Sequence, residues 1–466
     1  MLRSTKIVAT LGPASSDPVV LESMIRAGVD VVRLNFSHGT AEDHLKRAEL
    51  VKEIGRKVDR TVAIMCDLQG PKIRVGKFRD GKITLQKGQR FILDAGCELG
   101  DDERSGLDYK ELPRDVEAGA VLLLDDGKIV LDVIEVRGEQ VHTQVRHGGA
   151  LSNNKGINRQ GGGLTAAALT PKDIDDIRTA AKISADYLAV SFPKSGADMY
   201  MARELMRAAG GKAMLIAKIE RAEAVVQPAL LDIMNACDGI MVARGDLAVE
   251  VGDASVPALQ KKMIRLAREK NKLTITATQM MESMIASPVP TRAEVSDVAN
   301  AVLDGTDAVM LSAESASGRY PVEAIEAMDR ICIEAEQSQP VSLEQEFLNR
   351  VFTRVDQSIA MAGLFTAFHL KVKAIATLTE SGSTALWMSR LNCGVPIYAL
   401  TSQTATRYRC ALFRDVYPLM VKYLGHDREE LLAEAEKVLV DNGVVNNGDL
   451  IVLTIGEPIG KAGGTN

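Results

Sequence analysis

The stretch Gly239-Ile240-Met241-Val242-Ala243-Arg244-Gly245-Asp246 decides the fold, because a short apolar run of β-forming residues ends directly in charged residues. Runs of this length and composition are typical of strands. Counting this one, eight such runs occur before residue 340. The other seven are Lys6–Leu11, Val29–Asn35, Thr61–Asp67, Tyr187–Ser191, Ala213–Lys218, Leu273–Ala277 and Ala308–Ser312.

Longer helical patterns such as Pro18–Gly28 and Ala41–Val58 separate these runs. Alternation of strand and helix indicates parallel βα units. Eight parallel strands, each followed by a helix, close naturally into a (β/α)8 TIM barrel, so we predict an α/β protein with this barrel at residues 1–70 and 170–340. An open doubly wound sheet is the structural alternative at this stage.

The alternation stops for about a hundred residues between the third and fourth predicted strands. Turn signals such as Asp125-Asp126-Gly127 separate short alternating runs, including Ile129–Val136 and Gln140–Val145. This pattern indicates antiparallel hairpins. We therefore predict a small inserted β-barrel domain at residues 71–169, above the C-terminal face of the main barrel, where it can close over a ligand.

A third region begins after residue 340 with a long helical pattern and then repeats strand and helix. An open parallel α/β domain at residues 341–466 is the simplest interpretation. The sequence contains no Walker A motif and no GxGxxG after a strand. The predicted strands of this region are Lys373–Leu378, Pro396–Leu400, Val416–Val421 and Leu450–Ile455.

Composition limits the partners and the compartment. The net charge of −6, without a run of Lys and Arg, argues against nucleic acid or an anionic membrane as the main partner. The six cysteines are far apart and form no CxxC pair, which favours packed, reduced thiols. No apolar run reaches the roughly 18 residues of a membrane span, and the start lacks the features of a signal peptide. We expect a cytoplasmic protein.

Polar residues at the ends of the predicted strands are the candidate site, because strand ends and the following loops form the active site of such a barrel. Loop charges or helix caps explain any single member, but charged groups at most of eight strand ends converge on one place. The candidates are Thr10, Arg33, Asn35, Ser37, His38, Asp67, Ser191, Lys194, Lys218, Glu220, Arg244, Asp246, Thr278, Gln279, Ser312 and Glu314.

The residue types favour phosphoryl transfer. Glu220 and Asp246 end adjacent strands and can bind one divalent cation with few protein ligands, as Mg²⁺ prefers, although a salt-bridge pair at the barrel rim is the alternative. Arg33, Arg74 and Lys218 supply cations for an anionic substrate. Phosphoryl transfer needs positioning and charge stabilisation more than a covalent nucleophile. No Ser-His-Asp or Cys-His arrangement is evident, which disfavours acyl transfer.

Six motifs, in this order, resemble the pyruvate kinase family over essentially the whole chain. The resemblance implies the barrel, the inserted lid and a C-terminal regulatory domain, and a homotetramer. It implies that the glycolytic reaction of phosphoenolpyruvate with ADP, giving pyruvate and ATP, takes place at the barrel mouth. The motifs are Lys6–Pro13, Arg33–Gly39, Asp67–Gly76, Ala217–Glu220, Met241–Leu247 and Ala277–Met284.

The resemblance assigns the chemical roles. Lys218 would face the transferring phosphoryl group and stabilise the enolate of pyruvate. Glu220 and Asp246 would be ligands of the catalytic Mg²⁺, which Mn²⁺ can replace. The backbone at Gly245 and Asp246, with Thr278, would hold the substrate carboxylate.

It also assigns binding residues around this centre. Arg33 and Arg74 match the phosphate clamps. A water network near Thr278 and Ser312 is expected to deliver the proton to the enolate. Residues near the nucleotide are expected to be Asn35, His38, Arg74 and Lys155.

One departure concerns the monovalent cation. Family members that require K⁺ carry Glu where this chain has Lys72, and a lysine ammonium supplies the charge that the ion otherwise brings. We expect catalysis without K⁺. The site of the ion, or of its substitute, comprises Asn35, Ser37, Asp67, Leu68 and Lys72.

The C-terminal region matches the family's allosteric phosphate loop, in which Thr379, Ser381, Gly382, Ser383 and Thr384 would cradle a phosphate at a helix N-terminus. An ordinary helix cap explains the same residues. The loop resembles the type that responds to a sugar monophosphate or AMP. Glu380 replaces the Lys of many members that fructose 1,6-bisphosphate activates. The family usually continues past residues 463–466 with one more strand.

Two other functions remain open from the sequence. A barrel lyase acting on phosphoenolpyruvate or pyruvate would reuse a carboxylate-bound Mg²⁺, but it has no need of Lys155 on an inserted lid. A catalytically idle sensor of phosphorylated metabolites has no need of Lys218, Glu220, Asp246 and Thr278.

Overall fold

The computed structural model describes residues 2–338, 351–352, 354–422 and 427–456. The chain begins with the predicted alternation of strands and helices. Asp17 begins the first helix by accepting the amides of Val19 and Val20, and Thr40 with Asp43 forms a capping box at the second. The elements are β1 (Lys6–Thr10), α1 (Pro18–Ala27), β2 (Val31–Asn35), α2 (Ala41–Lys57) and β3 (Ala63–Asp67).

The inserted segment is rich in short strands, as predicted. Its main sheet has six strands in the order β13-β9-β10-β11-β6-β8, beside two two-stranded sheets, β12-β5 and β4-β7. The described strands thus form three sheets and not one closed small barrel, and two of the pairs, β6-β8 and β4-β7, are parallel. The elements are β4 (Lys77–Phe78), β5 (Lys82–Leu85), β6 (Arg90–Asp94), β7 (Leu99–Gly100), β8 (Arg104–Ser105), α3 (Leu112–Asp115), β9 (Val121–Leu124), β10 (Ile129–Arg137), β11 (Gln140–His147), β12 (Gly149–Ser152) and β13 (Ile157–Arg159).

The barrel then resumes and closes. Its eight strands are parallel in the order β1-β18-β17-β16-β15-β14-β3-β2, which confirms the barrel and excludes the open doubly wound sheet. The elements are α4 (Pro171–Ile183), β14 (Tyr187–Val190), α5 (Gly196–Ala208), β15 (Met214–Ile219), α6 (Gln227–Ala236), β16 (Gly239–Ala243), α7 (Arg244–Val251), α8 (Val256–Glu269), β17 (Leu273–Ala277), α9 (Arg292–Leu303), β18 (Ala308–Leu311), α10 (Ala313–Ala316) and α11 (Pro321–Ser338).

The C-terminal region is an open α/β unit. Its four strands are parallel in the order β21-β20-β19-β22, as the sequence predicts. The predicted boundary between residues 340 and 341 and the last ten residues lie outside the described residues. The elements are α12 (Val355–Leu370), β19 (Ala374–Leu378), α13 (Ser383–Ser389), β20 (Ile397–Thr401), α14 (Thr404–Cys410), β21 (Val416–Met420), α15 (Arg428–Asp441) and β22 (Ile451–Thr454).

The amino-terminal end of the barrel packs on the C-terminal unit. Lys6 Nζ donates to the carbonyl of Val416 over 2.8 Å, and buried Asp307 pairs with Arg390. Hydrophobic residues of the barrel interior and of the C-terminal unit form one continuous core cluster. The opposite, carboxyl end of the barrel therefore faces the lid. Within the described residues, no helix is both long and apolar enough to cross a membrane.

Candidate active site

A buried charge cluster lies at the carboxyl ends of β2, β3 and β15. Arg33 Nε is 2.6 Å from Asp67 Oδ2, and Lys218 Nζ is 2.9 Å from Glu220 Oε1 and 3.5 Å from Asp67 Oδ1. The side chains of Asp67 and Glu220 are only 1% and 2% exposed. Lys218 Nζ also donates to the hydroxyl of Ser191 over 2.8 Å. The fold thus brings Arg33 and Asp67 next to Lys218 and Glu220, which come much later in the chain.

The surroundings of Lys218 and Glu220 raise the pKa of both side chains. Burial alone would lower the pKa of Lys218, but the carboxylates of Asp67 and Glu220 together raise it, so the ammonium stays charged. Burial raises the pKa of Glu220, and the nearby Asp246 raises it further, while Lys218 opposes both. A bound cation would therefore favour the ionised form of Glu220.

Glu220 and Asp246 fit a divalent cation with few protein ligands. The amide of Phe192 donates to Glu220 Oε2 over 2.9 Å, which holds this carboxylate in place. Among the described residues, no group of three or more His, Cys, Asp and Glu side chains is arranged around a common metal position. Two carboxylates leave room for water and substrate oxygens, which is the coordination that Mg²⁺ prefers.

Thr278 lies in a constrained turn beside Gly245. The amide of Gly245 donates to Thr278 Oγ1 over 2.8 Å. Thr278 and Gln279 have φ of +67° and +53°, a left-handed backbone that costs roughly 1 kcal/mol or more per residue outside glycine. Arg244 holds the turn by donating to the carbonyls of Ala277 and Thr278 over 3.2 and 2.8 Å. Strain of this kind is typical of functional sites.

Glu314 ties this turn to the end of β18. Its buried carboxylate accepts the amide of Ser312 over 2.7 Å and the amide of Met281 over 3.1 Å. A single side chain therefore fixes the relative positions of Ser312 and the turn that contains Thr278.

Lys72 contacts Asp246, one of the two candidate metal ligands. Its ammonium is 3.3 Å from Asp246 Oδ1 and 3.9 Å from Asp126 Oδ1 on the lid. Of the oxygen ligands expected for a monovalent ion, Asn35 Oδ1 accepts the amide of Ser37. Asp67 Oδ1 is buried with no hydrogen-bond partner within the described parts of the chain.

Leu68, from the expected monovalent-cation site, and His38 and Arg74, from the expected nucleotide site, also lie in this region. The carbonyl of Leu68 accepts the Ser191 hydroxyl over 2.8 Å. His38 is exposed, and its carbonyl accepts a hydrogen bond from His44 Nε2 over 2.9 Å. Arg74 donates to the carbonyl of Lys72 over 3.0 Å.

Lys155 points into the lid. Its ammonium pairs with Asp125 over 2.7 Å, a bond that raises the pKa of Lys155. The lid thus pairs this cation with its own Asp125, while 39% of the Lys155 side chain stays exposed.

The expected phosphate loop of the C-terminal unit bonds largely to itself. Thr379 Oγ1 accepts the amide of Gly382 over 2.9 Å, and Ser381 Oγ accepts the amide of Ser383 over 3.4 Å. Gly382 has a φ of +82°, which glycine adopts without strain. Thr384 is the second residue of α13 and is buried. In this conformation two loop amides already have partners, as in an ordinary helix cap.

Strand-end positions alone did not distinguish substrate-facing from supporting residues. Ser191, Arg244 and Glu314 were recognised as strand-end groups without a role, and the structure shows them holding Lys218, the Thr278 turn and Ser312. Arg221 follows Glu220 but was not singled out. Its buried guanidinium donates to the carbonyls of Phe192, Leu164 and Ala166.

Comparison with known proteins identifies the family of this chain. The family model described as "Pyruvate kinase, barrel domain" matches residues 2–325, and "Pyruvate kinase, alpha/beta domain" matches residues 357–466. Pyruvate kinase II of Salmonella typhimurium is 54% identical over 100% of this chain and 98% of its own length. A pyruvate kinase of Haemophilus influenzae is 53% identical over 98% of this chain and 96% of its own. One of Sporosarcina psychrophila is 39% identical over 100% of this chain and 80% of its own.

Proposed function

Because the chain belongs to the pyruvate kinase family and is a phosphotransferase of that kind, we propose that the cluster around Lys218 transfers a phosphoryl group from phosphoenolpyruvate to ADP with the help of Mg²⁺. One observation carries the proposal. Lys218 stays charged between the buried carboxylates of Asp67 and Glu220, at the carboxyl end of the barrel.

Glu220 and Asp246 are the proposed metal ligands. When bound, Mg²⁺ would neutralise negative charge on the substrate oxygens during transfer. The Phe192 amide keeps Glu220 oriented toward the site. Mn²⁺, which also prefers oxygen ligands, is a suitable substitute.

Lys218 and Arg33 are the proposed cations for the substrate. Both lie in a buried setting, where an ammonium or guanidinium stabilises developing negative charge far better than in water. Asp67 holds both by ion pairs, so their positions are fixed before the substrate binds. This preorganisation is what phosphoryl transfer requires, because it needs no covalent nucleophile.

Thr278, Gly245 and Asp246 are the proposed binding site of the substrate carboxylate. The strained turn, Arg244 and Glu314 support this proposal, because they fix the Thr278 hydroxyl next to the backbone of Gly245. We propose that the proton for the enolate arrives through water held near Thr278 and Ser312.

The lid residues complete the proposed nucleotide site. Arg74 and Lys155 lie on the inserted segment, Asn35 ends β2, and His38 lies on the loop after it. Exchange of the Asp125 partner of Lys155 for a nucleotide phosphate would couple nucleotide binding to a change in the lid.

We propose that the enzyme needs Mg²⁺ but not K⁺. The ammonium of Lys72 already contributes a positive charge 3.3 Å from Asp246. In a member with Glu at this position, a bound monovalent cation would have to supply that charge. Full activity in a buffer free of both K⁺ and Na⁺ is the expected result.

We propose that a sugar monophosphate or AMP binds the loop Thr379–Thr384 and regulates activity. The left-handed Gly382 and the exposed Ser381 beside the start of α13 support an anion at this loop. A panel of phosphorylated metabolites at subsaturating phosphoenolpyruvate tests this. Activation by a monophosphate and by neither fructose 1,6-bisphosphate nor inorganic phosphate is expected.

We also propose a cytoplasmic homotetramer with domain boundaries near residues 70, 170 and 340. All six cysteines are free thiols and five are buried, which suits a reducing compartment. Apolar side chains such as Phe365 and Leu370 on α12 are about half exposed, which supports contact with another copy. Mass measurement of the purified protein tests the tetramer.

One assay separates the three functions that the sequence left open. Pyruvate release from phosphoenolpyruvate is measured with and without ADP, and ATP is quantified in the same samples. Equal amounts of pyruvate and ATP, formed only with ADP, are expected for the kinase. A product that requires an aldehyde would indicate the lyase, and the absence of turnover would indicate the sensor.

A further inference from the structure

The lid returns to the barrel through Gly161-Gly162-Gly163, a run of three glycines that the reaction chemistry does not explain. Their φ angles are +82°, +81° and +92°, all in the left-handed region. Three successive residues of this kind make a hinge that only glycine forms without strain. The run directly follows β13, so its conformation sets where the lid sits over the active site.

A side chain and a backbone carbonyl from the segments after the proposed metal ligands hold this hinge. Glu223 Oε1 accepts the amide of Gly163, and the carbonyl of Glu250 accepts the amide of Gly161 over 3.0 Å. A methyl group built on Gly162 would lie 2.6 Å from the carboxyl carbon of Glu223, so Glu223 packs directly on the hinge. Glu223 and Glu250 lie three and four residues after Glu220 and Asp246, respectively.

Two further observations show that this contact is specific. Glu223 Oε2 is buried and has no hydrogen-bond partner within the described ranges. Burying an unpaired carboxylate oxygen costs free energy, so this position calls for an explanation. The carboxylate of Glu250 accepts the amide of Ala222 over 2.7 Å and bonds to Asn158 on β13. The lid and the loop after β15 are thus in contact through the carboxylates of Glu223 and Glu250.

We propose that Glu223 and Glu250 are positioning residues that latch the triple-glycine hinge to the two metal-binding loops and thereby set the position of the lid over the nucleotide. Only the predicted effect of the latch on the KM for ADP rests on the proposed function. The latch itself is a structural contact that can be measured without turnover.

The latch has a pH dependence that follows from Glu250. Burial raises the pKa of Glu250 to about 7; the charged groups that face it are Arg221 and Glu223, and β13 contributes the uncharged Asn158. In a released hinge the carboxyl would regain a pKa near 4.5. The latched form is therefore most favoured at low pH, weakens as the pH rises from about 4.5 to about 7, and changes little above that.

Hydrogen exchange of the full-length enzyme tests the latch directly. Glu223→Ala removes the acceptor of the Gly163 amide and should speed exchange in residues 158–166 by about tenfold to a hundredfold. Glu117→Ala, at an exposed lid position, is the matched control and should leave this exchange unchanged. Unchanged exchange in Glu223→Ala would overturn the latch.

A double-mutant cycle with Gly162→Ala provides a second test. In Gly162→Ala, the left-handed φ and the collision with Glu223 both destabilise the hinge. When Glu223→Ala is added, only the left-handed φ still does so. The two changes should therefore be less than additive in their effect on exchange. Strict additivity would show that Glu223 does not press on the hinge.

Kinetics separate positioning from a merely structural role. Glu223→Ala should raise the KM for ADP several-fold and change the KM for phosphoenolpyruvate much less, because the proposed nucleotide site includes Arg74 and Lys155 of the lid. Glu250→Gln should abolish the loss of protection between pH 5 and pH 7, where protection is measured by the exchange rate relative to the intrinsic rate of the same amide at the same pH. Equal rises in both KM values, or a persistent pH dependence, would contradict the proposal. A wild-type protein without turnover would contradict the proposed function, while the exchange data would still test the latch.

Discussion

Reversal of the charge at Lys72 tests the proposal that this side chain replaces a monovalent cation. Lys72→Glu exchanges an ammonium that lies 3.3 Å from Asp246 for a carboxylate. At an effective dielectric constant of 20, two unit charges at this distance interact by about 5 kcal/mol. Lys72 is 32% exposed and Asp246 is 22% exposed, so solvent screening reduces the effective interaction to about 1 kcal/mol.

The substitution removes this attraction and adds a repulsion of similar size. We therefore expect a total effect of about 2 kcal/mol on the site, which corresponds to roughly a 30-fold loss of activity without K⁺. Lys72→Met removes the charge without adding an anion and should lose only about fivefold. Added K⁺ should restore Lys72→Glu much more than Lys72→Met.

The assay is the initial rate of pyruvate formation at saturating Mg²⁺, titrated with KCl at constant ionic strength in a tetramethylammonium buffer. The wild-type rate should not change with KCl. Lys77→Glu, an exposed position on β4, controls for the change of charge on the lid and should behave as the wild type does. A wild-type enzyme that is inactive without K⁺, or a Lys72→Glu variant that KCl does not rescue, would refute the reasoning.

Three further predictions follow from the geometry. Lys218→Met should lower kcat by roughly a thousandfold and change the KM for phosphoenolpyruvate by less than tenfold, because the buried ammonium acts mainly on the transition state. Glu314→Gln should lower kcat by roughly tenfold to a hundredfold. Each Glu314 oxygen accepts one amide, from Ser312 or from Met281, and glutamine keeps only one acceptor oxygen. The hydrogen bond that is lost is worth about 1.5–3 kcal/mol. Asp415→Asn should raise the melting temperature at pH 8 much more than at pH 5. Burial raises the pKa of the Asp415 carboxyl from 3.8 to about 7. Between these two pH values, its ionisation costs the folded state about 1.4 kcal/mol per pH unit.

Each of these predictions has a matched control at an exposed position: Lys212→Met, Glu323→Gln and Asp441→Asn, respectively. A kcat within a factor of ten for Lys218→Met would remove this residue from the transition state. A kcat within a factor of two for Glu314→Gln would show that the Thr278 turn does not depend on Glu314. For Asp415, a constant difference in melting temperature from pH 5 to pH 8 would show that the carboxyl has the same pKa in both states.

The barrel could be predicted from the sequence because strand and helix periodicities are local. Gly239–Ala243 and Leu273–Ala277 agree with the structure at both ends. The second strand begins at Val31 and not at Val29, because the Val29 amide still donates to the carbonyl of Met24 in α1. In the lid, the sequence indicated short strands, but their assembly into three sheets depends on pairings between distant segments.

The sequence by itself determined which residues could do the chemistry, since strand-end positions and residue types are readable from the chain. Only the tertiary structure decided their roles relative to one another. Arg244 and Glu314 support the backbone of a strained turn, Lys72 meets Asp246, and Lys155 pairs with Asp125 inside the lid. The physical reason is that ion pairs and hydrogen bonds depend on distances of a few ångströms between side chains that the chain order leaves tens to hundreds of residues apart.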